Sequence, residues 1–438
     1  MEGYTFQNWA QTFSCQPELY FEPDNVEELK QILARAREEG KRVKVCGSRH
    51  SPSDIACTTG FMINMKNISR VISVDKERCR ITVEAGVKLE TLNEEILPKH
   101  EMALSLLGAI SEQTVAGAIS TGTHGTGYKH GIIATNILDL DLMKSSGEIV
   151  HCSEKENPDL FSAALCGLGA LGIIVTVTIQ CERTYWLHDL TIPSTLDDVL
   201  DNLDQYVTGS EHFRFFWYPH TDFVMMSKVN RTEKKRTEVK SSWFWDTLVG
   251  FYLLEFFYWL STFLPPLVAV INKIHFYLFV ALPRERVDIS YKIFNFDCLF
   301  KQLVTDWAIP RDKTASVLRE LKRSCESENI YAHFPVEVRF TRGDDIMISP
   351  ANGRDTCFIN IIHFTPYGKK TSNPKYWALY EDIVHKAGGR PHWAKEHPLG
   401  PKELSELYPR WGEFCDIRKQ LDPHGIFLNE YLERIFGL

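Results

Sequence analysis

The chain has 438 residues, 44% of them hydrophobic and 24% charged, an ordinary globular balance with length for more than one domain. A formal net charge of -8 and the lack of a long basic run exclude nucleic acid as a partner. The 11 cysteines lie scattered without C-x-x-C, which argues against structural zinc and a disulfide scaffold, and no metal site is expected. The N-terminus shows no basic stretch followed by an apolar core, so no cleavable signal peptide is expected.

The first predicted element is a helix over 24–39, with Asp24 or Asn25 as cap, Glu27 and Glu28 in its first turn, Leu29, Ile32 and Leu33 as its apolar stripe, and Gly40 at its end. A strand over 42–46 follows, then short strands over 61–65, 70–74 and 80–84, and a second helix over 88–97. Segments 138–143 and 148–152 pair as a hairpin across Ser145-Ser146-Gly147. A helix over 159–166 precedes the β-branched strand 173–180, and this α+β block ends at 181. Pro193-Ser194 leads into a capped helix over 196–203. Later strands are expected over 293–303, 332–340 and 357–364, with a basic helix over 313–325. The tail holds helices over 376–387 and 402–421, the second interrupted by Pro409.

Residues 243–282 are strongly apolar and aromatic. The uncharged run 256–271 contains Pro265-Pro266, whereas a spanning helix needs about 17–25 apolar residues. A kinked span, a helix in the membrane interface and a buried element all fit. The Trp and Tyr content favours membrane association of some kind.

Four motifs carry chemistry. Gly47-Ser48-Arg49-His50-Ser51 follows a strand directly, so backbone N–H groups can meet an anion beside a fixed imidazole; a solvated turn histidine is the alternative. The run from Thr114 to Gly127 is almost bare of bulk, which lets backbone lie against a pyrophosphate; the alternative is a linker. On the strand Val336-Glu337-Val338-Arg339-Phe340, period two puts Glu337, Arg339 and Thr341 on one face. That face can orient a hydroxyl and stabilise developing negative charge, or it is simply a solvated outer face. Lys395, after the Gly388-Gly389-Arg390-Pro391 turn, can reach a cofactor or stay at the surface. Gly167-Leu168-Gly169-Ala170-Leu171-Gly172 matches G-x-G-x-x-G but follows a helix and opens a strand, which rejects a dinucleotide fingerprint. Its glycines can still bring backbone close to a flat ring.

Together these motifs, with His392-Trp393-Ala394-Lys395 and Asp422-Pro423, resemble the aldonolactone oxidoreductases of the vanillyl-alcohol-oxidase group of flavoproteins over nearly the whole chain. The resemblance implies an α+β fold: a two-part FAD-binding domain at 1–181, a cap domain with an antiparallel sheet at 182–385 that includes the membrane-associated segment 243–282, and a tail at 386–438 returning to the flavin. It implies FAD linked covalently to His50. The cofactor contacts would be Cys46, Gly47, Ser48, Arg49 and Ser51 in the first loop, Thr114, Ala116, Gly117, Ser120, Thr121, Gly122, Thr123, His124 and Gly125 in the second, and Ile173.

By the same resemblance Glu337 and Arg339 face the substrate and Lys395 sits near the flavin. Gly108 stands where relatives that do not use oxygen carry a bulkier residue, which implies an oxidase. The implied reaction is oxidation of L-gulono-1,4-lactone at C2, hydride passing to flavin and oxygen becoming hydrogen peroxide, with the product rearranging to ascorbate. Another aldonolactone or a sugar alcohol as substrate is the alternative, and a membrane-associated binding protein without catalysis is a third reading. The implied location is the endoplasmic reticulum (microsomal) membrane. One departure stands out: Ser48-Arg49 occupies positions where relatives often carry two glycines, so Arg49 must turn outward or pair with a phosphate.

Overall fold

The computed structural model describes residues 1–238, 242–295, 300–369 and 371–438. Two sheets build the N-terminal half. Strands Leu19–Phe21, Phe61–Asn64 and Val43–Cys46 form a small parallel sheet with Phe61–Asn64 in the centre. Helix Val26–Glu38 covers it: Asn25 accepts a hydrogen bond from the Glu28 amide as N-cap, and Leu29, Leu33 and Ala36 form its buried stripe. The second sheet is antiparallel, in the order Ile149–Ser153, Ile137–Met143, Ile173–Gln180, Arg80–Glu84, Val71–Asp75. The predicted hairpin at 138–152 is therefore present. The helix expected over 88–97 is shorter and irregular, a single α-turn at Leu89–Thr91 passing into a wide π-turn at Leu92–Ile96.

An eight-stranded antiparallel sheet forms the cap. Its order is Arg284–Ile289, Trp186–Thr195, Phe223–Arg231, His212–Trp217, Val336–Thr341, Thr356–Phe364, Gln302–Pro310, Arg390–Pro391. Five of these strands, at 186–195, 212–217, 223–231, 284–289 and 390–391, are not among the sequence expectations. The strand expected over 293–303 is replaced by helix Ser290–Phe294 and strand Gln302–Pro310, and its middle, 296–299, lies outside the described residues. Pro409 does separate two tail helices, Pro401–Leu407 and Trp411–Leu421. The tail is tied to the N-terminal half through Val43 N to Ile426 O (2.7 Å) and Ser53 Oγ to Ala394 O (3.0 Å).

The apolar segment folds back on itself at Pro265-Pro266, with helices Leu254–Ser261 and Leu267–Phe279 on either side. One face, with Leu254, Tyr258, Ile271 and Phe276, packs under the cap sheet against Tyr218, Phe334 and Phe364. Asn272 pins it there, donating to Pro219 O (2.9 Å) and Ala332 O (3.0 Å) while accepting from the Tyr258 hydroxyl (3.3 Å). These contacts commit that face to protein. Among the described residues no helix is long and apolar enough to cross a membrane.

Candidate active site

Two cavities meet at His50. The first lies between the parallel sheet, the second glycine-rich loop and the Gly167–Gly172 turn. Strand Val43–Cys46 points Lys44 and Cys46 toward it, and the loop that follows lays Gly47, Ser48, Arg49, His50 and Ser51 along its wall. Thr114, Ala116, Gly117, Ser120, Thr121 and Ile173 complete it. Thr114 caps helix Val115–Ser120, its hydroxyl accepting from the Gly117 amide at 3.2 Å. A Cβ at Gly47 would stand 2.3 Å from that hydroxyl oxygen, and one at Gly117 2.9 Å from it, so the two loops close around one another only as glycine. Arg49 takes a left-handed backbone (φ 64°) and swings its exposed guanidinium toward the Tyr4 hydroxyl (3.3 Å), which clears the cavity. This answers the crowding raised by its sequence.

Other expected contacts lie elsewhere. Gly122 is turned away, and a Cβ there would meet Pro350 and Cys166. Gly125 faces Leu106 and Leu107 and lines only a small separate void. Gly122 and Gly125 thus line neither of the two cavities that meet at His50. Thr123 and His124 line the second cavity rather than the first.

That second cavity, about 440 Å³, is ample for a small sugar lactone. Its wall holds His50, Gly108, Thr123, His124, Glu337, Arg339 and Lys395, bringing together every residue expected to act in chemistry. Strand Val336–Thr341 is buried on both faces, so Glu337 and Arg339 look into a cavity and not into solvent. Glu337 Oε1 is buried without a hydrogen-bond partner, 3.9 Å from Arg214 Nη1, while Oε2 lies 3.6 Å from Arg339 Nε. Arg339 Nη2 donates to Asp306 Oδ2 at 2.9 Å.

Asp306 also meets His124 Nε2 at 3.3 Å. Its burial opposes ionisation, but the His124 hydrogen bond and the Arg339 charge outweigh that and hold its pKa below the usual carboxylate range. Burial, with Arg339 alongside, lowers the His124 pKa; burial, with His124 beside it, lowers that of His392 far more. His124 and His392 are thus biased toward the neutral imidazole beside the Asp306–Arg339 pair.

Asp306, His392 and Arg214 escaped the sequence reading. Arg214 left a legible signal, the segment His212-Phe213-Arg214-Phe215-Phe216-Trp217, which reads as a strand with Arg214 on the face of His212, and His392 stood in the motif His392-Trp393-Ala394-Lys395 without a role of its own.

Does the first cavity suit FAD? His50 is decisive. Its Nδ1 is buried and unpaired where the two cavities join, its ring lies against Trp9 (centroids 6.2 Å apart), and burial lowers its pKa. A neutral imidazole with a free nitrogen is the form able to bond to a flavin carbon. Lys44, fully buried in the wall of this cavity, has its pKa lowered to about 7 by burial and donates to Leu168 O (3.1 Å).

Comparison with known proteins agrees. The model of the D-arabinono-1,4-lactone oxidase family matches residues 177–435, and that of an FAD binding domain matches residues 17–153. The chain belongs to the D-arabinono-1,4-lactone oxidase family. It is 52% identical to L-gulonolactone oxidase of Mus musculus over 99% of both chains, and 49% identical to L-gulonolactone oxidase of Scyliorhinus torazame over 99% of this chain and 98% of that one. A solvent-stable cholesterol oxidase shares the fold with a TM-score of 0.81 at 15% identity, over 99% of this chain and 97% of that one. As a member of this family the protein is an FAD-linked oxidoreductase, with the two-part flavin domain and antiparallel cap of the vanillyl-alcohol-oxidase type.

Proposed function

We propose that the protein oxidises L-gulono-1,4-lactone at C2 with oxygen as final acceptor, releasing hydrogen peroxide and a keto-lactone that rearranges to ascorbate. The observation that carries this reading is the buried carboxylate oxygen of Glu337, without a hydrogen bond, in the cavity that also holds His50. FAD held by the His50 loop and the second glycine-rich loop would supply a two-electron acceptor, with His50 as its covalent anchor. Glu337 accepts the C2 hydroxyl proton as the C2–H bond breaks with its electron pair. Arg339, held by Asp306, and Lys395 stabilise negative charge on the lactone carbonyl side. A panel of lactones and sugar alcohols with peroxide readout tests the assignment. The expected result is the highest kcat/KM for L-gulono-1,4-lactone; a clear preference for an arabinonolactone or a polyol would replace it.

We also propose that the protein works on the endoplasmic reticulum (microsomal) membrane, lying on the lipid surface without crossing it. The support is the outer face of the apolar hairpin, where Trp243, Phe244, Phe263, Leu264 and Leu282 are at least half exposed. Flotation of the holoenzyme with phosphatidylcholine vesicles should be abolished in the double variant Trp243→Ser/Phe263→Ser. Equal flotation of both proteins would reject this surface.

A further inference from the structure

Outside both large cavities, where the second glycine-rich loop meets the cap sheet, three donor groups converge. His130 Nε2 lies 3.6 Å from Glu211 Oε1, and His212 Nε2 lies 3.7 Å from the same oxygen. All three donor atoms fall within 4.8 Å of one another. In a tetrahedral zinc site, bonds of about 2.0–2.2 Å place neighbouring donors about 3.4 Å apart, close to the separations here, and the His130 ring, stacked on His212 at an interplanar angle of 20°, has to rotate to bring its Nε2 lone pair onto the same ion. We propose that His130, Glu211 and His212 form a binding site for a divalent transition-metal ion of the zinc class.

His212 is built as a ligand. Its Nδ1 lies 2.7 Å from the Thr126 carbonyl, which can only accept, so Nδ1 carries the hydrogen and Nε2 presents its lone pair. Nε2 is buried with no hydrogen-bond partner, in a residue only 1% exposed. An unpaired acceptor at such depth is costly unless something occupies it.

Gly127 makes the approach possible, since a Cβ there would stand 2.7 Å from the His130 ring and 2.9 Å from His212 Nδ1. The two rings stack with centroids 4.8 Å apart. His130 and Glu211 are partly exposed, which gives an ion a path in and leaves a coordination position for water.

Arg231 is the obvious competitor, with Nε 3.0 and 3.1 Å from the two Glu211 oxygens. It is also bound by both oxygens of Glu182, at 2.6 and 2.9 Å. The local sum of two carboxylates and one guanidinium is therefore still negative. A carboxylate oxygen has two lone-pair directions, so Arg231 can hold and orient Glu211 while Oε1 turns to the ion.

The ion would clamp His130, on the glycine-rich loop, to the strand that carries Arg214 into the substrate cavity. It is not placed to touch substrate.

Calorimetric titration of metal-stripped holoenzyme with Zn2+ tests the site. One ion per chain and a rise in Tm are expected for the wild type. Removing a direct ligand, by His130→Ala or Glu211→Gln, should weaken binding by more than the ~10–100-fold that loss of an outer partner costs, and should abolish the Tm rise. Flavin absorbance and Tm without zinc show whether each variant is folded. His188→Ala removes an exposed His–Glu pair (His188 Nε2 to Glu285 Oε2, 3.0 Å) and should leave binding unchanged. No uptake by the wild type, or equal uptake by His130→Ala and Glu211→Gln, overturns the proposal.

Discussion

Arg339 reaches past the intervening strand Thr356–Phe364 to pair with Asp306 at 2.9 Å, and both side chains are almost wholly buried. The carboxylate thus compensates the guanidinium from behind, while the rest of the fork stays directed toward Glu337 and the cavity. Removing the charge of Asp306 leaves the buried Arg339 guanidinium to the longer Glu337 contact at 3.6 Å. Asp306→Asn is expected to destabilise the protein by about 3–5 kcal/mol, read from denaturant unfolding, and to lower kcat more than it raises KM. Unchanged kcat in the folded variant would show that Arg339 does not need its partner.

Glu337→Gln preserves shape and removes the proton acceptor. The expected loss in kcat is on the order of 10²–10⁴ with little change in KM or Tm, measured in steady state with peroxide readout. Full turnover would rule out the assigned role.

His50→Ala separates the tether from the binding site. Wild-type protein should show flavin fluorescence in a denaturing gel, and the variant should not, although it can still bind FAD reversibly through the remaining cavity wall. A fluorescent band surviving in the variant would place the linkage elsewhere.

Gly108 lines the substrate cavity, and a Cβ there would lie 3.1 Å from Thr123 Cγ2 and 3.3 Å from His124 O. A methyl group fits with small shifts, whereas a leucine has to fill the cavity side. Gly108→Leu is expected to lose turnover with oxygen while keeping turnover with a dye acceptor. Equal loss with both acceptors would mean that the substitution damages the site as a whole.

Buried histidines give the protein an acid limit. Burial lowers the pKa of His220 and His363 to about 4 and that of His275 to about 3. In the unfolded chain each titrates near ~6.5, so below that pH the unfolded state binds the extra protons. Their stabilising contribution is full above ~6.5 and is lost as pH falls toward 4, at about 1.4 kcal/mol per pH unit for each ring. Urea midpoints across pH 4–8 should show this slope, and His220→Gln should reduce it if the variant folds.

Local patterns carried much of the fold. Helix Val26–Glu38 and strand Ile173–Gln180 were legible because a cap, an apolar stripe and a β-branched run are properties of neighbouring residues. The cap sheet was harder. Strand Trp186–Thr195 contains His188, Asp189 and Pro193, and its burial comes from partners far away in sequence. The same holds for Asp306: an acid between Thr305 and Trp307 gives no sign of the arginine it will meet.

By itself the sequence determined that a strand runs into a loop ending at His50, that a second loop without bulk follows, and that Glu337 and Arg339 share a strand face. Those are short-range facts of chirality and period. Only the tertiary structure decided that this face lies inside a cavity, that His50 stands where two cavities join, and that the apolar segment is clamped by Asn272 with its other side exposed. The reason is that burial, charge compensation and free lone pairs depend on which distant segments pack together, and pairing across a sheet is not written in any one strand.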